Sequence, residues 1–275
     1  MTRLPGRLVL LGHPVAHSLS PSIQNAALAA ANIPLTYEAL DVAPSDIQVT
    51  MAALISENAA GNVTIPHKGA VARACASLTV QAERAGAVNT FAVDGGRLVG
   101  HNTDVAGFGR AINELLGTTP AGLTIGVFGA GGAAAAVLAA IESWRGCSAI
   151  VVNRDTTRAH TLCERFRTFA QQGDAKSIAV RADIVVNATS LGMSDADLGP
   201  ISPADLQRAT AVLDLVYAPG ETFFVRAARS RGLRAADGLS MLMAQGVESF
   251  AWWFGRRPDV EVMWRATGRS RATQS

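Results

Sequence analysis

Lys68 follows Pro66-His67 directly after the short strand-like run 61–65, GNVTI, and Asp104 ends the segment His101-Asn102-Thr103-Asp104 just ahead of a helix-like run. A lysine at the C-terminal end of a strand stands where open α/β sheets build their sites, and an ammonium there can donate a proton or offset developing negative charge. Plainer roles stay open: a solvated lysine at a helix start, a surface or packing role for His67, and a helix cap from Thr103 or Asp104. Ser18 and Ser20 precede a second helical run that opens with Pro21, so two hydroxyls and the first N–H groups of a helix can converge on one small anion. The alternative makes Ser20 a simple cap and leaves Ser18 in solvent. Asn89 and Thr90 interrupt the apolar run 86–93, and a polar pair inside a strand needs hydrogen-bond partners, from a ligand or from neighbouring backbone.

A second constellation lies in the stretch 124–141, TIGVFGAGGAAAAVLAAI. An apolar run suited to a buried strand stops at Gly129, and Gly129, Gly131 and Ala134 fit the G-x-G-x-x-A form of the dinucleotide fingerprint. Gly129 permits a tight turn, Gly131 lets backbone approach a pyrophosphate, and Ala134 lets helix pack closely on strand. Ala130, Gly132 and Ala133 complete the turn. Where a site for the unphosphorylated dinucleotide carries Asp or Glu after the next strand, this chain has Asn153, Arg154 and Arg158. A guanidinium suits a 2′-phosphate and a carboxylate repels one, so NADP(H) is the expected cofactor, structural ion pairing being the plainer role for the arginines. Asp155 counts against this, because it serves NAD if the register slips by two. Further on, the small polar turn 188–193 places Thr189 where a nicotinamide-side ribose can lie.

The elements that must carry these residues alternate. Runs 7–11, 37–42 and 61–65 read as strands and 21–31 and 44–55 as helices, an order that implies a mostly parallel sheet wrapped by helices. A helix over 70–77 follows, then strands 86–93 and 97–100 joined by the turn Asp94-Gly95-Gly96. The helix 105–116 and the linker 117–122 place a domain boundary between Asp104 and Gly122. Beyond the glycine turn, strands are expected at 149–152, 182–187, 212–217 and 233–235, and an amphipathic helix containing Gln245 at 241–254.

With 275 residues and 49% hydrophobic content, the chain can fill one large core or two modest ones. A net charge of +2 implies no general affinity for polyanions, and nucleic acid is not an expected partner. The only apolar run near the N-terminus, 8–11, is too short for a signal peptide or membrane span, so a cytoplasmic location and no membrane partner are expected. Cys75, Cys147 and Cys163 are an odd number at wide spacing without a C-x-x-C, which predicts reduced thiols, no disulfide framework and no metal site.

Taken in order, the blocks GHPVAHSLSP, NVTIPHK, GAVNT, GHNTDVAG, GAGGAA, NRDTTRA, NATSLGM, DLVY and GLSMLMAQG span nearly the whole chain, and together they resemble the shikimate dehydrogenase family with its quinate/shikimate relatives. The resemblance implies an α/β protein of two domains: an N-terminal α/β substrate domain with a mostly parallel sheet, formed by 1–104 plus 238–275, and a Rossmann-type NADP-binding domain at 105–237. It implies reversible NADPH-dependent reduction of 3-dehydroshikimate to shikimate in aromatic amino-acid biosynthesis. Lys68 and Asp104 fall on the family's catalytic pair, and Ser18 and Ser20 on its carboxylate-binding serines. Thr64, Asn89, Tyr217 and Gln245 fall on further substrate contacts. Residues 129–133 match its pyrophosphate turn and Asn153, Arg154 and Arg158 its adenosine-phosphate site, while Thr189, Leu215 and Gly238 complete the expected cofactor set. Gln24 stands where the family more often has His, and Ser240 where a small residue or Pro is more usual. The expected partner is a small-molecule substrate, with a homodimer left open. Two other readings stay alive: a quinate/shikimate enzyme using NAD, and a non-catalytic regulator that binds substrate and dinucleotide.

Overall fold

The computed structural model describes residues 4–193 and 198–269 of the chain. They form two compact units. One takes the described residues up to Gly107 and from Leu242 onward, and the other is Phe108–Met241. The final residues 270–275 of the expected first-domain segment lie outside the described set.

The first unit begins with β1 (Arg7–Gly12), α1 (Ser20–Ala30), β2 (Tyr37–Asp41), α2 (Ile47–Ser56) and β3 (Ala59–Val63). Helical crossovers let the strands run parallel, and β1 pairs in parallel with β2 on one side and β3 on the other. β1 and β3 are buried almost end to end because both faces of the sheet are covered, which is why, Asn62 apart, their interior residues are apolar or small.

The stretch 68–94 departs from the sequence reading. The helix expected over 70–77 is α3 (Lys68–Ala74), and it is followed by a short β4 (Ser77–Leu78) and by α4 (Val80–Ala85). Thr79 caps α4 by accepting from the Ala82 N–H, and Gly86 ends it in the left-handed region at φ 61°. Gly86 therefore stops a helix and does not open a strand, and β5 (Thr90–Asp94) starts only at Thr90. β5 and β6 (Arg97–His101) form the expected hairpin, with Gly95 and Gly96 both at positive φ in its two-residue turn. β5 runs antiparallel to β3 and β6, so the sheet is mixed, in the order β2-β1-β3-β5-β6-β4. Leu11, Met51, Leu54, Val63, Phe91 and Leu98 fill the core on one face.

The chain passes into the second unit along α5 (Asp104–Leu116). There β7 (Thr124–Phe128), α6 (Gly132–Ile141), β8 (Ser148–Val152), α7 (Thr156–Arg165), β9 (Ala170–Gln172), α8 (Ala175–Arg181) and β10 (Ile184–Asn187) lead to β11 (Ala211–Asp214), α9 (Phe223–Ser230) and β12 (Arg234–Ala236). All six strands are parallel, in the order β9-β8-β7-β10-β11-β12. This is the doubly wound order of a Rossmann-type sheet, with its switch point between β7 and β10. β11 ends at Asp214, short of the expected Tyr217, because the Asp214 carboxylate accepts from the Val216 N–H and turns the chain out of the ladder. α10 (Leu239–Phe254) returns the chain to the first unit, where α11 (Val260–Arg265) packs on α1. Among the described residues no helix is long and apolar enough to cross a membrane.

Candidate active site

Lys68 is the first residue of α3, at the C-terminal end of β3, and Asp104 is the first residue of α5. The Lys68 Nζ donates to Asp104 Oδ2 at 2.6 Å, with the two side chains only 14% and 7% exposed. Asp104 Oδ1 accepts from Asn89 Nδ2 at 2.9 Å. The carboxylate is thus committed to Lys68 and Asn89, so the capping role for Asp104 is set aside. Asn102 positions its main chain by accepting from the Asp104 N–H and donating to the Ala87 carbonyl. His67 takes the packing role: it is buried, with its ring Nε2 2.7 Å from the Val42 carbonyl. Gln245 on α10 joins the cluster, its Oε1 lying 3.3 Å from Asn89 Nδ2.

The loops after β1 and β3 are tied side by side at the same end of the sheet, through His13 N–H to the Ile65 carbonyl and Thr64 N–H to the Leu11 carbonyl. One loop carries Ser18 and Ser20, the other Thr64 and Lys68. The expectation that Ser20 caps α1 is corrected, for Leu19 holds the cap position without a side-chain bond, Ser20 is the first helical residue and Pro21 the second. Ser18 does the capping work, its Oγ accepting from the Ser20 N–H at 3.2 Å. The structure sets the serines and Thr64 at the same end of the sheet as Lys68, and it is Lys68, Asp104, Asn89 and Gln245 that it brings into direct hydrogen bonding.

Sequence reasoning leaves the partners of Asn89 and Thr90 open, and among the described residues they are mostly other side chains. Thr90 Oγ1 lies 2.8 Å from Ser249 Oγ and 3.2 Å from Thr103 Oγ1, and accepts from Asn62 Nδ2. Ser249, Thr103 and Asn62 escape a reading of the sequence as site residues, because their partners lie far away along the chain. The two departures from the family pattern are both buried: Gln24 donates to the Gly246 carbonyl, while Gln24 Oε1 and Ser240 Oγ have no partner among the described residues.

In the second unit, Gly129 sits at φ 115°, and a Cβ there would fall 2.6 Å from the Ala188 carbonyl oxygen, so this turn requires glycine. Gly131, at the N-cap of α6, has no side-chain cap and nothing within 4 Å of where its Cβ would stand. Ala134 is fully buried. An exposed glycine opening a helix at the switch point fits a dinucleotide pyrophosphate, which is the chemistry expected of Gly129, Ala130, Gly131, Gly132 and Ala133. Beyond β8, Arg154 and Arg158 are exposed and Asn153 is half-buried, its amide donating to the Asp155 carbonyl. Asp155 caps α7 by accepting from the Arg158 N–H and pairs with the Arg158 guanidinium at 3.3 Å. Its carboxylate is therefore engaged by its own helix, against the slipped register that would serve NAD.

Thr189 is held by Asn187, whose Oδ1 accepts from both the Thr189 N–H and its hydroxyl. A Cβ on Gly238 would lie 2.2 Å from the Leu215 carbonyl oxygen, which brings these two expected cofactor residues together, and Tyr217 is half-buried just beyond β11. Asp214 also escapes the sequence reading, although a lone acid inside the run 212–217 is a signal. It is fully buried and accepts from Asn187 Nδ2, the Val216 N–H and the Thr222 hydroxyl. Burial pushes its carboxyl up to about 6, against the pull of those three bonds and with a further push from Asp237.

Fold and site define a class: an α/β protein whose first unit buries an ammonium–carboxylate pair at the end of a parallel strand and whose second is a Rossmann-type dinucleotide-binding unit. Two family profiles match the chain, the shikimate dehydrogenase substrate binding domain over residues 10–91 and the shikimate 5'-dehydrogenase C-terminal domain over residues 238–267. The chain is 41% identical to a shikimate dehydrogenase (NADP(+)) of Symbiobacterium thermophilum, across 95% of this chain and 94% of that one. Against that of Rubrobacter xylanophilus the identity is 44%, across 94% and 93%. A crystal structure of shikimate 5-dehydrogenase from Thermus thermophilus, in complex with NADP(H) and shikimate, matches with a TM-score of 0.86 at 35% identity, covering 97% of this chain and 99% of that one. The chain belongs to the shikimate dehydrogenase family.

Proposed function

We propose that this protein catalyses the reversible, NADPH-dependent reduction of 3-dehydroshikimate to shikimate, with the first unit binding substrate and the second binding cofactor. The observation that carries the reading is the buried Lys68–Asp104 pair, with Asn89 and Gln245 hydrogen-bonded beside it. Bound NADPH supplies hydride to a ring carbonyl. What the protein must add is orientation and one proton at the carbonyl oxygen. Lys68 is placed to give that proton, or to offset the charge that develops on the oxygen, and Asp104 orients the ammonium and the ring hydroxyl. Asn89, Gln245 and Thr64 pair with ring hydroxyls, and Ser18 and Ser20 hold the carboxylate with neutral donors. Analogues lacking those hydroxyls are rejected because buried polar groups are then left without partners. Tyr217 lies near the substrate.

In the second unit, residues 129–133 hold the pyrophosphate, Asn153, Arg154 and Arg158 hold the 2′-phosphorylated adenosine, and Thr189, Leu215 and Gly238 flank the nicotinamide. The glycine required at Gly129 supports a dinucleotide turn, and the engagement of Asp155 by α7 supports NADP over NAD. The test is to follow reduced-nicotinamide absorbance with purified protein, shikimate or quinate, and NADP or NAD. Shikimate oxidation with NADP is the expected result. Turnover confined to quinate and NAD, or ligand binding without turnover, overturns the reading.

A further inference from the structure

Behind the Lys68–Asp104 pair lies a closed group of three buried hydroxyls. Thr90 Oγ1, Thr103 Oγ1 and Ser249 Oγ form a triangle with sides of 2.8, 3.0 and 3.2 Å, and all three residues are essentially inaccessible to solvent. Two amides feed it. Asn62 Nδ2 donates to Thr90 at 2.9 Å and to Ser249 at 2.8 Å, and Asn89 Nδ2 donates to Thr103 at 2.9 Å. Each hydroxyl has one proton to give and can accept two. With each proton passed to the next hydroxyl around the ring, or that of Thr90 turned instead to Asn89 Oδ1 at 3.1 Å, every hydroxyl gives one bond and takes one from an amide.

Thr103, one vertex of the ring, also fixes the direction of Asn89 through its main-chain N–H. Its Oδ1 accepts from the Thr103 N–H at 2.7 Å, and its Nδ2 protons go to Thr103 and to Asp104. Reversed, the amide would set an oxygen against the Asp104 carboxylate and an NH₂ against an N–H. Ser249 is the vertex contributed from elsewhere in the chain. It sits on α10 one turn after Gln245, on the same helix face, and its hydroxyl ties that face to Thr90 and Thr103. Gln245 Oε1 thereby lies within reach of Asn89 and Thr103.

We propose that Ser249 is a positioning residue for the proton-transfer pair: its hydroxyl completes the triangle that holds Asn89 with its amide protons on Asp104, and seats α10 so that Gln245 faces the same group. The proposal rests on the shikimate dehydrogenase reading. It assigns Ser249 no contact with substrate or cofactor.

The experiment measures steady-state shikimate oxidation by the wild-type chain and by Ser249→Ala, Thr90→Val and Phe250→Leu, each well below its own Tm. Phe250 is buried beside Ser249 and packs on Phe254, so its variant loosens α10 without removing a hydroxyl. Ser249→Ala and Thr90→Val should each lower kcat about tenfold while the NADP KM stays unchanged, as a small misplacement of the pair requires. Phe250→Leu should lower Tm and keep kcat. Thr90→Val is nearly isosteric and decides the matter if Ser249→Ala does not fold. A folded hydroxyl-deletion variant with wild-type kcat, or a kcat loss in Phe250→Leu matching that of Ser249→Ala, overturns the proposal. Absence of turnover in the wild-type chain is a separate outcome, and it overturns the functional reading on which this one stands.

Discussion

Removing a positioned acid–base group typically costs about 10² to 10⁴ in rate, so Lys68→Ala and Asp104→Ala should each lower kcat by that order. Breaking a buried pair also strands the remaining charge, at about 3–5 kcal/mol, so both variants should unfold at lower temperature. Near-normal kcat in both purified proteins would remove the pair from the mechanism. Arg154 and Arg158 make a different prediction because they are exposed and are proposed to hold one phosphate. A charged hydrogen bond is worth about 1.5–3 kcal/mol, so Arg154→Ala and Arg158→Ala should raise the NADP KM about ten- to a hundredfold and leave the KM for NAD unaltered. An unchanged NADP KM in both variants would move the 2′-phosphate elsewhere. These residues are visible in the sequence because their chemistry is tied to local position, at the end of a strand or the start of a helix. Ser249, Thr103 and Asn62 are not, since Ser249 lies 187 positions from Asn62 and 159 from Thr90, and nothing in the local sequence announces such partners.

Elements are legible where their signals are long or doubled. β7 and α6 can be read from one apolar run, one glycine turn and one alanine-rich helix. β4 and α4 escape because each is short, and the Thr79 cap and Gly86 stop lie inside what reads as a strand approach. The glycine turn between β7 and α6 yields a paired test, since its two fingerprint glycines are kept for different reasons. Gly129 is needed by the fold, with φ at 115° and the Ala188 carbonyl in the way of any side chain. Gly129→Ala should cost about 2 kcal/mol or more, a fall of about 4–8 °C in Tm. Gly131 has φ −91° and open space around it, so Gly131→Ala should leave Tm nearly unchanged and weaken only nucleotide binding. Calorimetry of both variants with NADP titration separates the two. Equal Tm losses would mean that both glycines serve the backbone alone.

At the scale of the whole molecule, the alternation of strands and helices is enough to foresee parallel sheets in both halves, because a crossover helix leaves a strand little choice of direction. The antiparallel β5 is foreseeable only through its glycine turn, and the burial of Asp214 is signalled only by its being a lone acid in the run 212–217. That burial has a consequence for the stability of the fold. The Asp214 carboxyl titrates near 6 in the folded chain because desolvation raises it from an ordinary 3.8. Between those two values the folded chain holds a proton that the unfolded chain has released, so the contribution to stability is fully present below about pH 4, is lost as pH rises through about 6, and is absent above. The gap corresponds to about 3 kcal/mol. Asp214→Asn keeps the shape and can still accept from Asn187 and Val216, but it cannot titrate. About 2 kcal/mol of that gap falls between pH 4.5 and pH 7.5, so the Tm of the variant relative to wild type should rise by about 4–8 °C across that range. Any fixed offset from the lost Thr222 bond would shift both ends equally. Parallel Tm curves across that range would show that Asp214 carries its charge in the folded chain at no cost, and that its three hydrogen bonds outweigh its burial.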